Sequence, residues 1–216
     1  MTGHVTRAAA GSDVGRRYSA NFDVVHLTED PLLAVVADGM GDGEGSRMAG
    51  RTAVDVFVAG AGDSADSLRE AVASAQRQVT ESGGGHWLVQ IGDSRAYRLR
   101  DGLLELLTTD HTMAWLGAVN GWYAFDSPQA SAARYQLTRY IGHPAHPEPD
   151  VLSLALRPGD VLLLCSDGVA EQVPYERIRE ILGRLAPPDE QVRQLLAVAE
   201  EAGGQDNATA VVVQVA

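Results

Sequence analysis

Apolar and polar positions along the chain alternate in short blocks that read as strands early and late, with helices between them. Strand-like runs, short and bounded by Gly, Asp or Pro, fall at about 23–28, 32–37, 86–91, 95–99, 151–156, 161–165 and 208–215. Helical patterns run at about 46–60, 65–80, 174–184 and 189–202. In the last two, Ile178, Ile181, Leu182 and Leu185, then Val192, Leu195, Leu196 and Val198, recur at helical spacing. The stretch 99–106 reads as a hairpin turning at Asp101-Gly102, and "RPGD" at 157–160 is a second turn. Two helices follow the early strands and two precede the last one. Such elements pack as a pair of mostly antiparallel sheets with helices outside, a layered α/β sandwich. Residues 111–147 follow neither period. Their aromatics (Trp115, Trp122, Tyr123, Phe125, Tyr135, Tyr140) mark an ordered excursion packed on the body rather than a linker.

Composition narrows the function classes. A chain of 216 residues with 45% hydrophobic residues suits one domain, or at most a tight pair, with a real core. The net charge of −12 argues against a nucleic-acid partner and against docking on anionic lipid. Every basic residue is Arg. The single cysteine, Cys165, cannot form an internal disulfide and fits a core position in a reducing cytosol. The first residues lack the apolar segment of a signal peptide, and no apolar run approaches the ~20 residues of a membrane helix. A cytoplasmic location is expected.

The chemistry lies where strands end. "LLAVVADGMGDGEG" (32–45) climbs to Asp38 and breaks into glycines, and "VLLLCSDG" repeats the layout at Asp167. Asp206 stands just before the last strand, Asp23 at the start of another, and Asp110 after "LLTT". One Asp beside Gly is ordinary turn chemistry. Several at one edge of a sandwich repel each other unless protons or cations neutralise them. Oxygen donors without Cys or paired His select hard cations, Mg²⁺, Mn²⁺ or Ca²⁺. The alternating acids of an EF-hand are missing after Asp38.

The segments "VVADGMGDGEGSRMA", "IGDSRAYRLRDG", "LTTDHT", "LLLCSDGV" and "GGQDNATAVVV" resemble, in order and over nearly the whole chain, the motifs of the type 2C metal-dependent protein phosphatases, the PPM family, in their bacterial form. The resemblance implies an α+β fold, a four-layer αββα sandwich of two mostly antiparallel sheets flanked by helices. It would be a single domain over 1–216 with a variable flap at about 111–147. It implies hydrolysis of phosphoserine and phosphothreonine in proteins at two tight Mn²⁺ or Mg²⁺ sites, with a third, weaker site. Asp38 matches the carboxylate bridging two metals, and Gly39 a backbone carbonyl ligand. Asp167 and Asp206 match further ligands, Asp23 the acid that holds metal water, and Asp110 the acid of the weaker site. Asp93, Ser94 and Arg95 are read as structural, Asn207 as orienting Asp206, and His111 as an aid to proton transfer. His86 and His143 are read as surface or loop histidines. Partners would be phosphoproteins, substrates of bacterial Ser/Thr kinases, met by a monomer.

The chain departs from the pattern at two places. In "GRRYSANFD", Tyr18 stands where a phosphate-binding Arg is expected, with Arg16 and Arg17 just before it, and Phe22 replaces a Glu. Arg17 is the residue expected to reach the phosphate, as a bidentate donor. Between 76 and 95 there is little room for a strand that family members carry. Three alternatives therefore stand beside an active phosphatase: a pseudo-phosphatase with weak metal binding, a relative acting on anti-sigma-antagonist proteins, and a cation-binding domain without catalysis.

Overall fold

The computed structural model describes residues 6–29, 32–39 and 86–216, with Arg51, Val54 and Val58 between them. The described strands β1 (Thr6–Asp13), β2 (Val24–Glu29), β3 (Leu32–Ala37), β4 (His86–Gln90), β5 (Arg95–Arg100) and β6 (Leu103–Leu106) lead into two short helices, α1 (Met113–Val119) and α2 (Pro128–Ala133). Then come β7 (Asp150–Leu154), β8 (Val161–Cys165), the single turn α3 (Asp167–Ala170), α4 (Tyr175–Leu182), α5 (Pro188–Glu201) and β9 (Ala208–Val215).

One antiparallel sheet runs in the order β1-β9-β8-β5-β6. β9 lies inside it and is buried at every position except Gln214, because both of its faces are covered. Ala208, Ala210 and Val212 face α4 and α5, where Ile178, Ile181, Leu182, Val192 and Leu195 close the core. The alternate residues Val211 and Val213, with Leu162 of β8, face the other way. Each large side chain removed from water here contributes about 1.5–3 kcal/mol.

The opposite face is covered by two antiparallel pairs, β2 with β3 and β4 with β7. Val25, Leu27, Leu32, Ala34, Val36 and Leu154 pack from these pairs onto Leu162, Val211 and Val213. Helices, a five-stranded sheet and paired strands are thus stacked as the α+β sandwich requires. Among the described residues no strand joins the two pairs. The segment 76–85, part of the 76–95 stretch that leaves little room for a strand, lies outside the described residues, as does the helix expected at 65–80. Of the helix expected at 46–60, Arg51, Val54 and Val58 are described; they are helical, and Val54 is buried.

The hairpin at Asp101-Gly102 forms as its sequence suggests, with positive φ at both residues (51° and 79°). β1 was not anticipated. Its Ala-rich sequence has little strand propensity, and the ladder with β9 imposes the conformation. Small residues are needed there because α5 crosses β1 closely: a Cβ on Gly11 would lie 2.7 Å from Cγ1 of Val192.

Candidate functional site

The strand ends converge. Asp23 enters β2, Asp38 leaves β3, Asp167 opens α3 after β8, and Asp206 precedes β9. Two glycines let these loops close up. A Cβ on Gly168 would sit 1.9 Å from the carbonyl oxygen of Asn207, and one on Gly39 would sit 2.3 Å from that of Phe22. Only backbone without a side chain fits at either junction.

Asn207 ties the N-terminal loop to this end. Its Oδ1 accepts from the Phe22 N–H at 2.7 Å, and its Nδ2 donates to the carbonyls of Val14 (2.7 Å) and Ala20 (3.2 Å). The role expected of Asn207 is therefore wider than orienting Asp206. It holds the loop that carries Arg17, Phe22 and Asp23.

The carboxyl groups feel one another. Burial, then Asp167 and Asp23, push Asp38 well above the ordinary range, and Asp38 and Asp167 share a hydrogen bond. Burial raises Asp23 to about 7, reinforced by Asp167 and Asp206, while hydrogen bonds from Thr209 and Ser166 work the other way. Burial and Asp167 also raise Asp206. The set has oxygen donors only, and Arg17 offsets only part of its charge, which is the chemistry of a hard divalent-cation site. Among the described residues, no three such groups already converge as closely as a bound ion would draw them.

Arg17, Tyr135, Asp167, Gly168, Glu171 and Asp206 line a small open pocket at this edge. The Arg17 guanidinium stacks on Tyr18 with Cζ 5.1 Å from the ring centroid, and its charge acts on Asp206. Phe22 is buried and meets Tyr18 edge to face. Tyr135, 68% exposed, stands on the rim. Arg134 beside it pairs with Glu171 at 3.1 Å and so fastens the end of α2 to the site.

Three residues sit differently from their reading in the sequence. Asp110 does not turn to the other carboxylates: Arg95 grips it through Nε at 2.9 Å and Nη2 at 2.6 Å. Asp93, read as structural, is the acid that joins the cluster. Burial raises it to about 7, with Asp167 the next cause, and it in turn raises Asp38. His111 is not available for proton transfer at the pocket. It is 5% exposed, its Nδ1 accepts from the Gly92 N–H at 3.1 Å, and its Nε2 meets Asp150 at 3.1 Å. Since Nδ1 accepts, Nε2 carries the proton and donates to Asp150.

The family model described as Stage II sporulation protein E (SpoIIE) matches residues 28–216, and bacterial PPM phosphatases match in both sequence and structure. The chain belongs to the PPM, or type 2C, family. The Ser/Thr protein phosphatase PstP of Mycobacterium tuberculosis is 32% identical over 98% of this chain. This chain spans only 45% of that relative's length. The structure of the PPM Ser-Thr phosphatase MsPP of Mycobacterium smegmatis, in complex with cacodylate, superposes with a TM-score of 0.78 at 32% identity, covering 97% of this chain and 98% of that one. The catalytic domain of PstP in complex with two manganese ions gives 0.79 at 30% identity, covering 99% of both chains. The fold thus belongs to the PPM scaffold, αββα in its layering.

Proposed function

We propose that this chain is a cation-dependent protein phosphatase that hydrolyses phosphoserine and phosphothreonine. The observation that carries the reading is the meeting of Asp23, Asp38, Asp167 and Asp206 at one edge beside Arg17, where burial and the Asp167 charge raise the proton affinity of the other three. Two Mn²⁺ or Mg²⁺ ions held by Asp38, Asp167, Asp206 and the Gly39 carbonyl would activate a water and neutralise the phosphate. The manganese-bound PstP relative supports this choice of ion.

The chain's own residues do the rest. Arg17 offers two N–H groups to the phosphate oxygens. Asp23 orients the attacking water. Asp93, rather than Asp110, would hold the weaker cation, because Asp110 is already paired with Arg95. Tyr135 and the rest of 111–147 form the flap against which the phosphoprotein lies, in a single domain. Substrates are proteins phosphorylated by bacterial Ser/Thr kinases.

The deciding experiment is hydrolysis of p-nitrophenyl phosphate and a phosphothreonine peptide with and without Mn²⁺, with Asp206→Ala as the blank. Turnover that requires Mn²⁺ and vanishes in the variant is the expected result. One observation favours a second reading, a regulatory module of the same fold: Phe22, not an acid, is packed into the loop beside Gly39. Mn²⁺ bound without turnover would select that reading.

A further inference from the structure

Asp23 is held by more than its own loop. Ser12 on β1 and Thr209 on β9 are directly opposite in the ladder, so their side chains share a face. That face is the one where Ala8, Val211 and Val213 meet the β2–β3 pair, and Asp23 lies at the entrance to β2. The two hydroxyl oxygens are 2.5 Å apart. The Thr209 hydroxyl donates to Oδ2 of Asp23. Asn21 Nδ2 donates to the Ser12 hydroxyl at 2.6 Å, and Asn21 Oδ1 accepts from the Asp23 backbone N–H at 3.0 Å.

These four bonds close a circuit with one sense. The Asp23 N–H can only donate, so it faces the Asn21 oxygen and turns the Asn21 NH₂ toward Ser12. Each hydroxyl has one proton. The carboxylate, the strongest acceptor in reach, takes that of Thr209, so Ser12 gives its own to Thr209. Asp23 is thereby fixed at both its backbone and its carboxylate. Thr209 is fully buried and Ser12 is exposed.

We infer that Thr209, Ser12 and Asn21 are positioning residues that hold the Asp23 carboxylate in its working orientation through this hydrogen-bonded ring. The inference rests on the reading of Asp23 as a member of the reacting centre. A side chain fixed this way loses no orientational freedom when the substrate arrives.

Thr209→Val keeps the shape and removes the hydroxyl, and Thr209→Ser keeps the hydroxyl. With p-nitrophenyl phosphate, Thr209→Val is expected to lose about tenfold or more in kcat at little change in KM, and to bind Mn²⁺ more weakly by calorimetry. Thr209→Ser should restore both to within about threefold of the parent. Ser12→Ala, a change at an exposed position, should lower kcat in the same sense and serves if Thr209→Val does not fold. Parental kcat and Mn²⁺ affinity in Thr209→Val, or in Ser12→Ala where it stands in, would overturn the ring, as would a Thr209→Ser protein as impaired as Thr209→Val. Asp23→Asn run alongside separates the two levels. If it is impaired while Thr209→Val is not, the ring alone falls. If Asp23→Asn is itself parental, the role of Asp23 falls with it.

Discussion

Arg95 closes on Asp110 like a fork, Nε and Nη2 each meeting a carboxylate oxygen, while Nη1 reaches the Ala170 carbonyl at 3.4 Å. Both side chains are mostly covered, at 21% and 15% exposure. The pair braces β5 against the end of α3, the turn that Asp167 opens. Its neighbour in the motif, Asp93, is left to face the acidic cluster.

Exchanging these two acids should therefore have opposite signatures. Asp110→Asn is expected to lower stability by on the order of 2 kcal/mol, because it strands a covered guanidinium. It should leave Mn²⁺ stoichiometry intact. Asp93→Asn should fold normally and lose the weakest Mn²⁺ binding step. Thermal melts paired with calorimetric titration read both, and loss of Mn²⁺ in Asp110→Asn alone would reverse the assignment.

Tyr135 should matter in proportion to the size of the substrate. It stands on the rim beside the tethered Arg134, where a bound phosphopeptide would pass and a small aryl phosphate would barely reach. Tyr135→Ala is expected to lower kcat/KM for a phosphothreonine peptide about tenfold more than for p-nitrophenyl phosphate, the loss of one packed aromatic. Equal losses on both would place Tyr135 in the fold rather than in recognition.

Withdrawing divalent cations should destabilise the protein. Unneutralised, the carboxylates at the strand ends repel one another. Mn²⁺ at 100 times its Kd would contribute about 2.7 kcal/mol, or several degrees in Tm. A melt in EDTA that coincides with the melt in Mn²⁺ would contradict the metal centre.

Asp160 supplies a pH test away from the site. Burial works against its charge, but Arg100, with hydrogen bonds of 2.7 and 2.6 Å, and the Arg157 N–H at 2.8 Å hold it below the ordinary carboxylate range. A depressed folded value gives stability that is present above the unfolded value of about 3.9 and fades as pH falls through the folded one. Asp160→Asn should therefore lower Tm by several degrees at pH 7 and by progressively less below pH 4. A deficit that stays constant with pH would assign the loss to packing alone.

Cys165 should be inert in the folded state. It is fully buried, and burial pushes its thiol up to about 12. Iodoacetamide at pH 8 is expected to label it only after denaturation.

Much of this was legible because local signals and tertiary demands agree. β3, β8 and β9 are continuous apolar runs, and the acids at their ends mark the edge where the site forms. What stayed hidden depended on partners far away in sequence. β1 looks like coil until β9 pairs with it and α5 demands its small residues. Asp93 and Asp110 look alike as letters. Which of them faces the cluster is decided by Arg95, whose direction follows from the register of β5 against β8. His111 looks like a proton carrier, but Gly92 and Asp150 already occupy its ring nitrogens.

The placement of β9 has a consequence for how the molecule is made. It is the last strand in sequence, yet it lies inside the five-stranded sheet and brings Asp206, Asn207 and Thr209 to the site. A nascent chain carries Asp23, Asp38 and Asp167 long before the strand that seats them has left the ribosome. The pairing of β1 with β9 is long-range in sequence and must wait until β9 has been made. A cation centre that draws on Asp206 would thus be deferred until β9 has paired with β1 and β8.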